Sequence, residues 1–155
     1  MTRDTPTRVV VNDRLDIAVA SGAHGVHLRG DSIAPLRARS MAPAGFLIGR
    51  SVHGAEESAL ATRGADYCIA GTVFPTSSKP GLRQPLGLEG LGAIVRAVTV
   101  PVLAIGGVSM ARIEAVASTG AAGMAAIGFF DAEPEDLVTV VREVRRRFDT
   151  VRSAS

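Results

Sequence analysis

The chain has 155 residues, of which 46% are hydrophobic, and its formal net charge is +2. This length suits one domain with a substantial apolar core and is too short for two domains of ordinary size. Glycine, proline and charged residues interrupt every apolar run before it reaches membrane-spanning length, so no membrane partner is expected. The small net charge and the absence of tryptophan give no reason to expect nucleic-acid binding.

Two features of the sequence bear on its compartment. The N-terminal residues have no apolar signal-peptide core, so we expect a cytoplasmic protein. Cys68 is the single cysteine and cannot form an internal disulfide. Because it lies within an apolar run, we interpret it as a small buried hydrophobic residue rather than as a nucleophile.

Six short apolar segments are predicted to be β-strands. Their apolar residues are mostly consecutive rather than alternating, which is typical of parallel strands buried on both faces. In chain order, the predicted strands are Arg8–Asn12, Gly25–Leu28, Phe46–Val52, Tyr67–Gly71, Val102–Gly106 and Gly123–Phe129.

Segments of helical periodicity separate these strands. Ser109 is predicted to cap a helix that runs to Thr119. The clearest helix begins at Pro134 and carries one apolar stripe. The members of the stripe are Leu137, Val138, Val140, Val141, Val144 and Phe148.

A Gly-Ala pair recurs at Gly22, Gly64 and Gly120, each time between a helical pattern and a strand. A glycine at that position is expected to end the helix in the left-handed backbone conformation. The chain is therefore six β/α units, which fit either a doubly wound sheet or a (β/α) barrel. No Gly-x-Gly-x-x-Gly follows the first strand, which disfavours the dinucleotide fold. We predict a single α/β domain over residues 1–155, an incomplete TIM-type (β/α) barrel.

The loops that follow the strands should hold the functional residues, because a (β/α) barrel places its site there. Asp13 follows the first strand, and its carboxylate would suit Mg²⁺ shared with a phosphate or would simply cap the next helix. The loop after the second strand holds a second carboxylate, Asp31, but Asp31 or Ser32 could equally cap the following helix. We interpret His27 as an internally hydrogen-bonded histidine.

Hydroxyl groups occur at the end of the third strand and are dense in the loop after the fourth. Ser51 and His53 share one strand end, but the orienting acid and elbow motif of a Ser–His nucleophile are not visible. We therefore interpret Ser51 as a hydrogen-bonding group for phosphate or substrate. The fourth loop contains Lys79, the only lysine in the chain. A compact ammonium that contacts a departing phosphate would explain this residue, and so would chance.

Glycines end the last two strands. Gly106 and Gly107 follow the fifth strand, and Gly128 follows Ile127 in the sixth. Backbone amides of two adjacent strand-end loops form the phosphate cup of many barrels, although tight turns would require the same glycines. Because glycines occur at the ends of both of the last two strands, phosphate binding is the favoured interpretation.

With these pieces in order, the chain resembles the thiamine phosphate synthase and TenI family from Val9 through Phe130. The motifs that carry the resemblance are Val9-Val10-Val11-Asn12-Asp13-Arg14, Gly25-Val26-His27-Leu28, Gly64-Ala65-Asp66-Tyr67, Phe74-Pro75-Thr76-Ser77-Ser78-Lys79 and Ala104-Ile105-Gly106-Gly107-Val108. The family begins with two further β/α units, so the resemblance implies a barrel that lacks about the first two. Open edges on such a barrel would favour self-association into a homo-oligomer.

The resemblance implies a transferase of thiamine biosynthesis that uses Mg²⁺ and small phosphorylated substrates. It joins hydroxymethylpyrimidine diphosphate to thiazole phosphate and releases pyrophosphate. By position, Asp13 would be the metal ligand, with Asn12 beside it. The implied contacts to the diphosphate are Thr76, Ser78, Lys79 and Ser51, of which Lys79 and Ser51 are the catalytic candidates. The implied contacts to the thiazole phosphate are Gly106, Gly107, Ile127 and Gly128.

Two departures from the synthase pattern keep other activities open. Ser32 stands where synthases carry a second aspartate ligand. The run Gly49–His53 is more similar to TenI proteins, some of which are thiazole tautomerases, yet Thr72 stands where the tautomerase histidine is expected. Thiamine phosphate synthesis is the leading prediction. A thiazole phosphate tautomerase and a non-catalytic phosphate-binding protein are the alternatives.

Overall fold

The structure is a computed structural model and describes residues 5–76, 84–128, 130 and 134–152. Within these described residues, six strands form one sheet, in which every neighbouring pair is parallel. The strands are β1 (Val10–Asn12), β2 (Gly25–Leu28), β3 (Leu47–Val52), β4 (Tyr67–Gly71), β5 (Val102–Ile105) and β6 (Gly123–Ala125).

Helices alternate with the strands along the chain, as the β/α repeat predicts. The helices are α1 (Leu15–Ala20), α2 (Pro35–Met41), α3 (Ala55–Ala61), α4 (Gly87–Ala97), α5 (Ile113–Ser118) and α6 (Pro134–Arg152), and a 3₁₀ turn (Met110–Arg112) precedes α5. None of the helices in the described part of the chain is both long and apolar enough to cross a membrane.

The order of the strands decides between the two predicted architectures. They lie side by side as β1-β2-β3-β4-β5-β6, whereas a doubly wound sheet reverses its strand order at a switch point. A sheet that adds each strand on the same side is the pattern of a (β/α) barrel. The prediction of an incomplete barrel is therefore confirmed, with β1 and β6 at the two ends of the sheet.

The helices pack on one face of the sheet and create two apolar cores. Among the described residues, the larger core has 14 buried members, drawn from β3, β4 and β5, from helices α4, α5 and α6, and from the segments that follow β4 and precede β6. The smaller core has six, Ala18, Val26, Leu28, Ala38, Phe46 and Ile48, and joins β2 and β3 to α1 and α2. The alternate side chains of the strands point to the opposite, concave face, where the interior of the barrel lies.

Most local predictions are confirmed, and three need correction. Gly22, Gly64 and Gly120 have φ values of +67°, +84° and +85°, as expected for glycines that end helices. The first and last strands are shorter than predicted, because β1 begins at Val10 and β6 ends at Ala125. The remaining part of the sixth predicted strand turns away from the sheet before Phe129, which lies outside the described residues.

The other two corrections concern helices. Ser109 precedes the 3₁₀ turn, but its side chain makes no capping hydrogen bond. The apolar stripe of α6 is only half used: Val144 and Phe148 are buried, whereas Val138 and Val141 are exposed. Helix α5 packs against α6, but it covers only part of the wide apolar stripe that the periodicity predicts.

Candidate active site

The carboxyl ends of the parallel strands meet at one edge of the sheet, and most of the predicted site residues lie along that edge. Asp13 follows β1, Ser32 follows β2, Ser51 lies near the end of β3 and Gly106 follows β5. Ile105 is paired with Ala125, so the loops after β5 and β6 are neighbours, as a shared phosphate site requires. Gly128 and Ile127 are exposed in the second of these loops.

Asp13 is held in position by its own backbone. Its φ is +65°, in the left-handed region that Asp tolerates better than most residues, and its N–H donates to the carbonyl of His27 at 2.9 Å. Helix α1 begins after Arg14 without any side-chain cap. The interpretation of Asp13 as a helix cap is therefore wrong, because the chain turns before the helix starts.

The carboxylate of Asp13 meets the loop after β2. Ser32 Oγ donates a hydrogen bond to Asp13 Oδ1 and accepts one from the backbone N–H of Arg29 at 2.9 Å. Asp31 instead pairs with Arg29 at 2.6 Å, with 70% of its side chain exposed. The Arg29 guanidinium lowers the pKa of Asp31. Ser32, rather than Asp31, is thus the residue of this loop that contacts Asp13.

Arg50 fixes the loop after β2 and was not singled out from the sequence. It is only 8% exposed, and its guanidinium donates to the carbonyls of Gly30 at 2.9 Å, Ser32 at 3.3 Å and Ile33 at 3.2 Å. A buried arginine in an apolar strand needs such acceptors. That isolated charge was the signal available in the sequence.

Ser51 is paired with a histidine, but the histidine is not the one nearest in sequence. His27 Nε2 and Ser51 Oγ lie 2.9 Å apart, so His27 is internally hydrogen-bonded as predicted. Burial, and secondly the charge of Arg50, lower the pKa of His27. His53 instead donates from Nδ1 to the carbonyl of Gly71 at 2.6 Å.

The described residues of the strand-end edge line two separate cavities. Ser51, His53 and Thr72 line a cavity of about 500 Å³. Asp13 and Ser32 line a groove of about 730 Å³ on the side of α1. The loop after β2 separates them, with Asp31 lining both. Asp13 and Ser51 therefore share an edge of the sheet, but they do not share a cavity.

The glycines after β5 are required by the packing of two loops. Gly106 and Gly107 have φ values of +97° and +62°, and a Cβ on Gly107 would lie 2.5 Å from the carbonyl oxygen of Pro75. A Cβ on Gly106 would lie 2.6 Å from Cγ2 of Thr72. Tight turning thus accounts for both glycines, and their phosphate contact stays a prediction. Among the described residues, nothing lies within 4 Å of the position that a Cβ on Gly128 would take.

The other residues that were singled out from the sequence lie at several places in the fold. Asn12 is exposed and paired in register with His27, and Thr76 is half-buried after β4. Ser78 and Lys79 lie outside the described residues. Cys68 is fully buried, which confirms that it is a core residue, and burial raises the pKa of its thiol to about 11.

The oxygen atoms around Asp13 are suited to a hard cation. No group of three or more His, Cys, Asp or Glu side chains in the described ranges has a metal-binding arrangement. Mg²⁺, however, is commonly held by one or two carboxylates together with water and substrate phosphates. The Asp13 carboxylate with the Ser32 hydroxyl beside it fits that minimal donor set, and Mg²⁺ binding itself stays a prediction.

Comparison with known proteins gives one consistent family. The family model described as thiamine monophosphate synthase matches residues 1–130. A thiamine-phosphate synthase from Methanoregula boonei is 44% identical over 153 residues, which cover 98% of this chain and 70% of that protein. A putative thiamine-phosphate synthase from Geobacter sulfurreducens is 41% identical over 83% of this chain and 61% of its own length.

The structural comparison agrees with the sequence comparison. A thiamine phosphate pyrophosphorylase from Pyrococcus furiosus has a TM-score of 0.76 and 38% identity, covering 92% of this chain and 67% of that structure. An N-(5'-phosphoribosyl)anthranilate isomerase from Pyrococcus furiosus, 16% identical with a TM-score of 0.64, shares the fold alone. The chain spans between about three fifths and 70% of the relatives named here. With its matching motifs, strand order and strand-end residues, this chain belongs to the thiamine monophosphate synthase family.

Proposed function

We propose that the protein is a thiamine phosphate synthase, which couples hydroxymethylpyrimidine diphosphate with thiazole phosphate. The observation that carries this proposal is the 44% identity to a thiamine-phosphate synthase over 98% of the chain. The strand-end edge supports it, because oxygen donors at one end and glycine-rich loops at the other suit two phosphorylated substrates.

The reaction is a substitution at the methylene carbon of the pyrimidine. The bond from this carbon to the diphosphate oxygen breaks, and its electron pair leaves with pyrophosphate. The nitrogen lone pair of the thiazole forms the new carbon–nitrogen bond, which gives the thiazolium ring of thiamine phosphate. Negative charge develops on the leaving oxygen, so hydrogen-bond donors and cations near the diphosphate would accelerate the reaction.

The residues at the first half of the edge would bind the diphosphate. Asp13 would hold Mg²⁺, with Ser32 beside it, and the ion when bound would neutralise charge on the diphosphate oxygens. Ser51 lines the neighbouring cavity and would donate a hydrogen bond to the diphosphate from there, together with Thr76, so a diphosphate that contacts both Ser51 and the ion would span the loop after β2. The corresponding roles of Ser78 and Lys79 rest on their position in the family motif.

The residues at the second half of the edge would bind the other substrate. Gly106 and Gly107, with Ile127 and Gly128 in the neighbouring loop, would offer backbone amides to the thiazole phosphate. The open space at Gly128 leaves room for the phosphate group.

A direct assay tests the proposal. The folded protein is incubated with both substrates and Mg²⁺, and formation of thiamine phosphate and pyrophosphate is followed by chromatography. Asp13→Asn should lower the rate by at least about tenfold, whereas the exposed Arg14→Ala should retain it. Isomerisation of the thiazole phosphate without coupling would indicate a tautomerase instead. Phosphate binding without any reaction would indicate a non-catalytic protein. A cytoplasmic location stays a prediction from the sequence.

A further inference from the structure

Two rings share a small space on the concave face of the sheet. His27, Gly49 and Tyr67 are paired in register across β2, β3 and β4. The rings of His27 and Tyr67 stack with centroids 5.7 Å apart and planes inclined by 28°. A Cβ on Gly49 would lie 2.4 Å from the Tyr67 hydroxyl oxygen and 2.5 Å from His27 Nδ1. Glycine at position 49 is therefore what allows both rings to lie over β3.

Ser51 lies two residues farther along β3 and on the same face as Gly49. Its Oγ is 2.9 Å from His27 Nε2, and either atom could donate the hydrogen. The direction of this hydrogen bond decides what else the Ser51 hydroxyl can do, because a hydroxyl carries a single hydrogen.

The surroundings of the other ring nitrogen fix that direction. His27 Nδ1 is buried and has no hydrogen-bond partner among the described residues. A Cβ on Gly49 would lie 2.5 Å from Nδ1, so a Cα hydrogen of Gly49 lies close to this nitrogen, which suits a lone pair better than an N–H. A buried N–H without an acceptor is also rarer than an unpaired acceptor. We therefore expect the hydrogen on Nε2, and a doubly protonated ring would donate from Nε2 as well.

The remaining hydrogen of Ser51 is then available to a ligand. Ser51 lines the cavity of about 500 Å³ together with Arg29 and Arg50, and with the carboxylates of Asp31 and Glu57. Asp31 is paired with Arg29, whereas the Arg50 guanidinium donates to carbonyl groups. The positive charge of Arg50 therefore favours an anionic acceptor at Ser51.

We propose that His27 is a positioning residue, which donates from Nε2 to Ser51 Oγ and directs the Ser51 hydroxyl hydrogen toward an anionic oxygen of the bound ligand. This deepens the proposed function and rests on it only for the choice of pyrophosphate as the probe.

The direction of the hydrogen bond is measured by nitrogen-15 NMR of the imidazole rings in the whole protein. We expect His27 to show a protonated Nε2 and an unprotonated Nδ1. His53 is an internal contrast, because its Nδ1 faces the carbonyl of Gly71 and should carry the hydrogen. His27→Gln identifies the His27 signals by their loss. A His27 ring protonated only at Nδ1 would overturn the proposal, because Ser51 would then donate to it.

The consequence for binding is measured by calorimetry with inorganic pyrophosphate and Mg²⁺. Ser51→Ala and His27→Leu should each weaken the affinity by about tenfold, as loss of a hydrogen bond to a charged group does. The double variant should bind no more weakly than Ser51→Ala, because both changes remove the same interaction. His27→Gln should stay within about threefold of the original affinity, since its amide can also donate to Ser51.

The outcomes separate the two proposals. Effects of His27→Leu and Ser51→Ala that multiply would overturn the positioning role, and so would a His27→Gln variant as weak as His27→Leu. If His27→Leu does not fold, the pyrophosphate affinity of His27→Gln and the nitrogen-15 NMR spectrum still test the positioning role. Absence of pyrophosphate binding to the unaltered protein would overturn the proposal that Ser51 contacts an anionic ligand, whatever the NMR spectrum shows. Pyrophosphate binding without thiamine phosphate formation would overturn only the proposed function.

Discussion

Ser32 Oγ donates a hydrogen bond to Oδ1 of Asp13 across the ends of β2 and β1. The side chain at position 32 therefore lies next to the candidate metal ligand, even though it is a hydroxyl and not the carboxylate that the family resemblance implies there. Asp31 is turned away toward Arg29. Position 32 is therefore placed to supply a second metal ligand. The type of residue at this position should set the affinity for the cation.

We expect Ser32→Asp to raise the Mg²⁺-dependent affinity for pyrophosphate by about tenfold, because Mg²⁺ is held by one or two carboxylates together with phosphate oxygens. Calorimetric titration with and without Mg²⁺ measures this difference. Asp13→Asn should remove the dependence on Mg²⁺, and Asn tolerates the left-handed backbone of position 13. Glu114→Gln is the control, because Glu114 is exposed on α5 and lines neither cavity, and it should change nothing. An affinity that ignores Mg²⁺ in all four proteins would contradict a metal site at Asp13.

Gly49→Ala should destabilise the protein by about 2 kcal/mol, because its methyl group cannot fit between two stacked rings without displacing them. A Cβ there would lie 2.2 Å from Cζ of Tyr67. The free energy of unfolding from urea titration measures the effect. Gly54→Ala is the control, since Gly54 has extended backbone and open space around it. Equal stability of the two variants would show that the rings can move apart at no cost.

Gly128→Val should weaken the binding of thiazole phosphate by about tenfold while leaving stability within about 0.5 kcal/mol. The new side chain would extend into the open space beside the backbone amides. The dephosphorylated thiazole should bind equally to both proteins, and much more weakly than the phosphate to the unaltered one. Gly107→Ala should also lose stability, because its Cβ would collide with Pro75. Equal affinities of the unaltered protein for the two ligands would refute the phosphate cup.

Cys68 should make stability fall in alkaline solution. Burial raises its pKa from 9.0 to about 11, so the thiol ionises in the unfolded chain before it ionises in the folded one. The stabilisation is complete below pH 9 and is lost as the pH rises toward 11.

Urea unfolding at several pH values tests this effect against Cys68→Ala. The excess stability of the unaltered protein should shrink between pH 9 and 11, while the contribution of Tyr67 is common to both proteins. A thiol reagent at pH 8 should modify Cys68 only after unfolding. Rapid modification of the folded protein would show that the larger core opens easily.

Self-association is expected because the two ends of the sheet carry exposed apolar side chains. Val9, Ile17 and Val19 are 45%, 45% and 39% exposed beside β1, and Ile127 is 87% exposed after β6. Strand edges and apolar patches of this kind favour association. Light scattering at micromolar concentration should show species larger than one chain.

Ile17→Glu should shift that distribution toward the monomer. Leu60→Glu is the matched control, since Leu60 is 71% exposed on α3, in the middle of the chain of β/α units. A monodisperse monomer of the unaltered protein would contradict the expected association.

The sequence predicted the strands and helices better than it predicted the contacts of the candidate active site. Consecutive apolar residues and helix-ending glycines such as Gly64 are local patterns, so strands and helix ends could be located from them. The role of Asp13 could not be predicted in this way, because a helix cap and a metal ligand require the same residue at the same place. Only the backbone turn at Asp13 excludes the helix cap. The partner of Ser51 is His27, 24 residues earlier, and that contact depends on the register of β2 and β3.

The division of the apolar side chains into two cores also has a dynamic consequence. The unit formed by β1, β2, α1 and α2 rests on the smaller core, so it should open more often than the rest of the chain. Backbone amides of β2 should then exchange with deuterium faster than those of β4 and β5. Asp13 lies on this less protected unit and Gly106 on the other. A ligand that binds at Asp13 would therefore stabilise the half of the sheet that opens first, and slower exchange in β2 would report its binding.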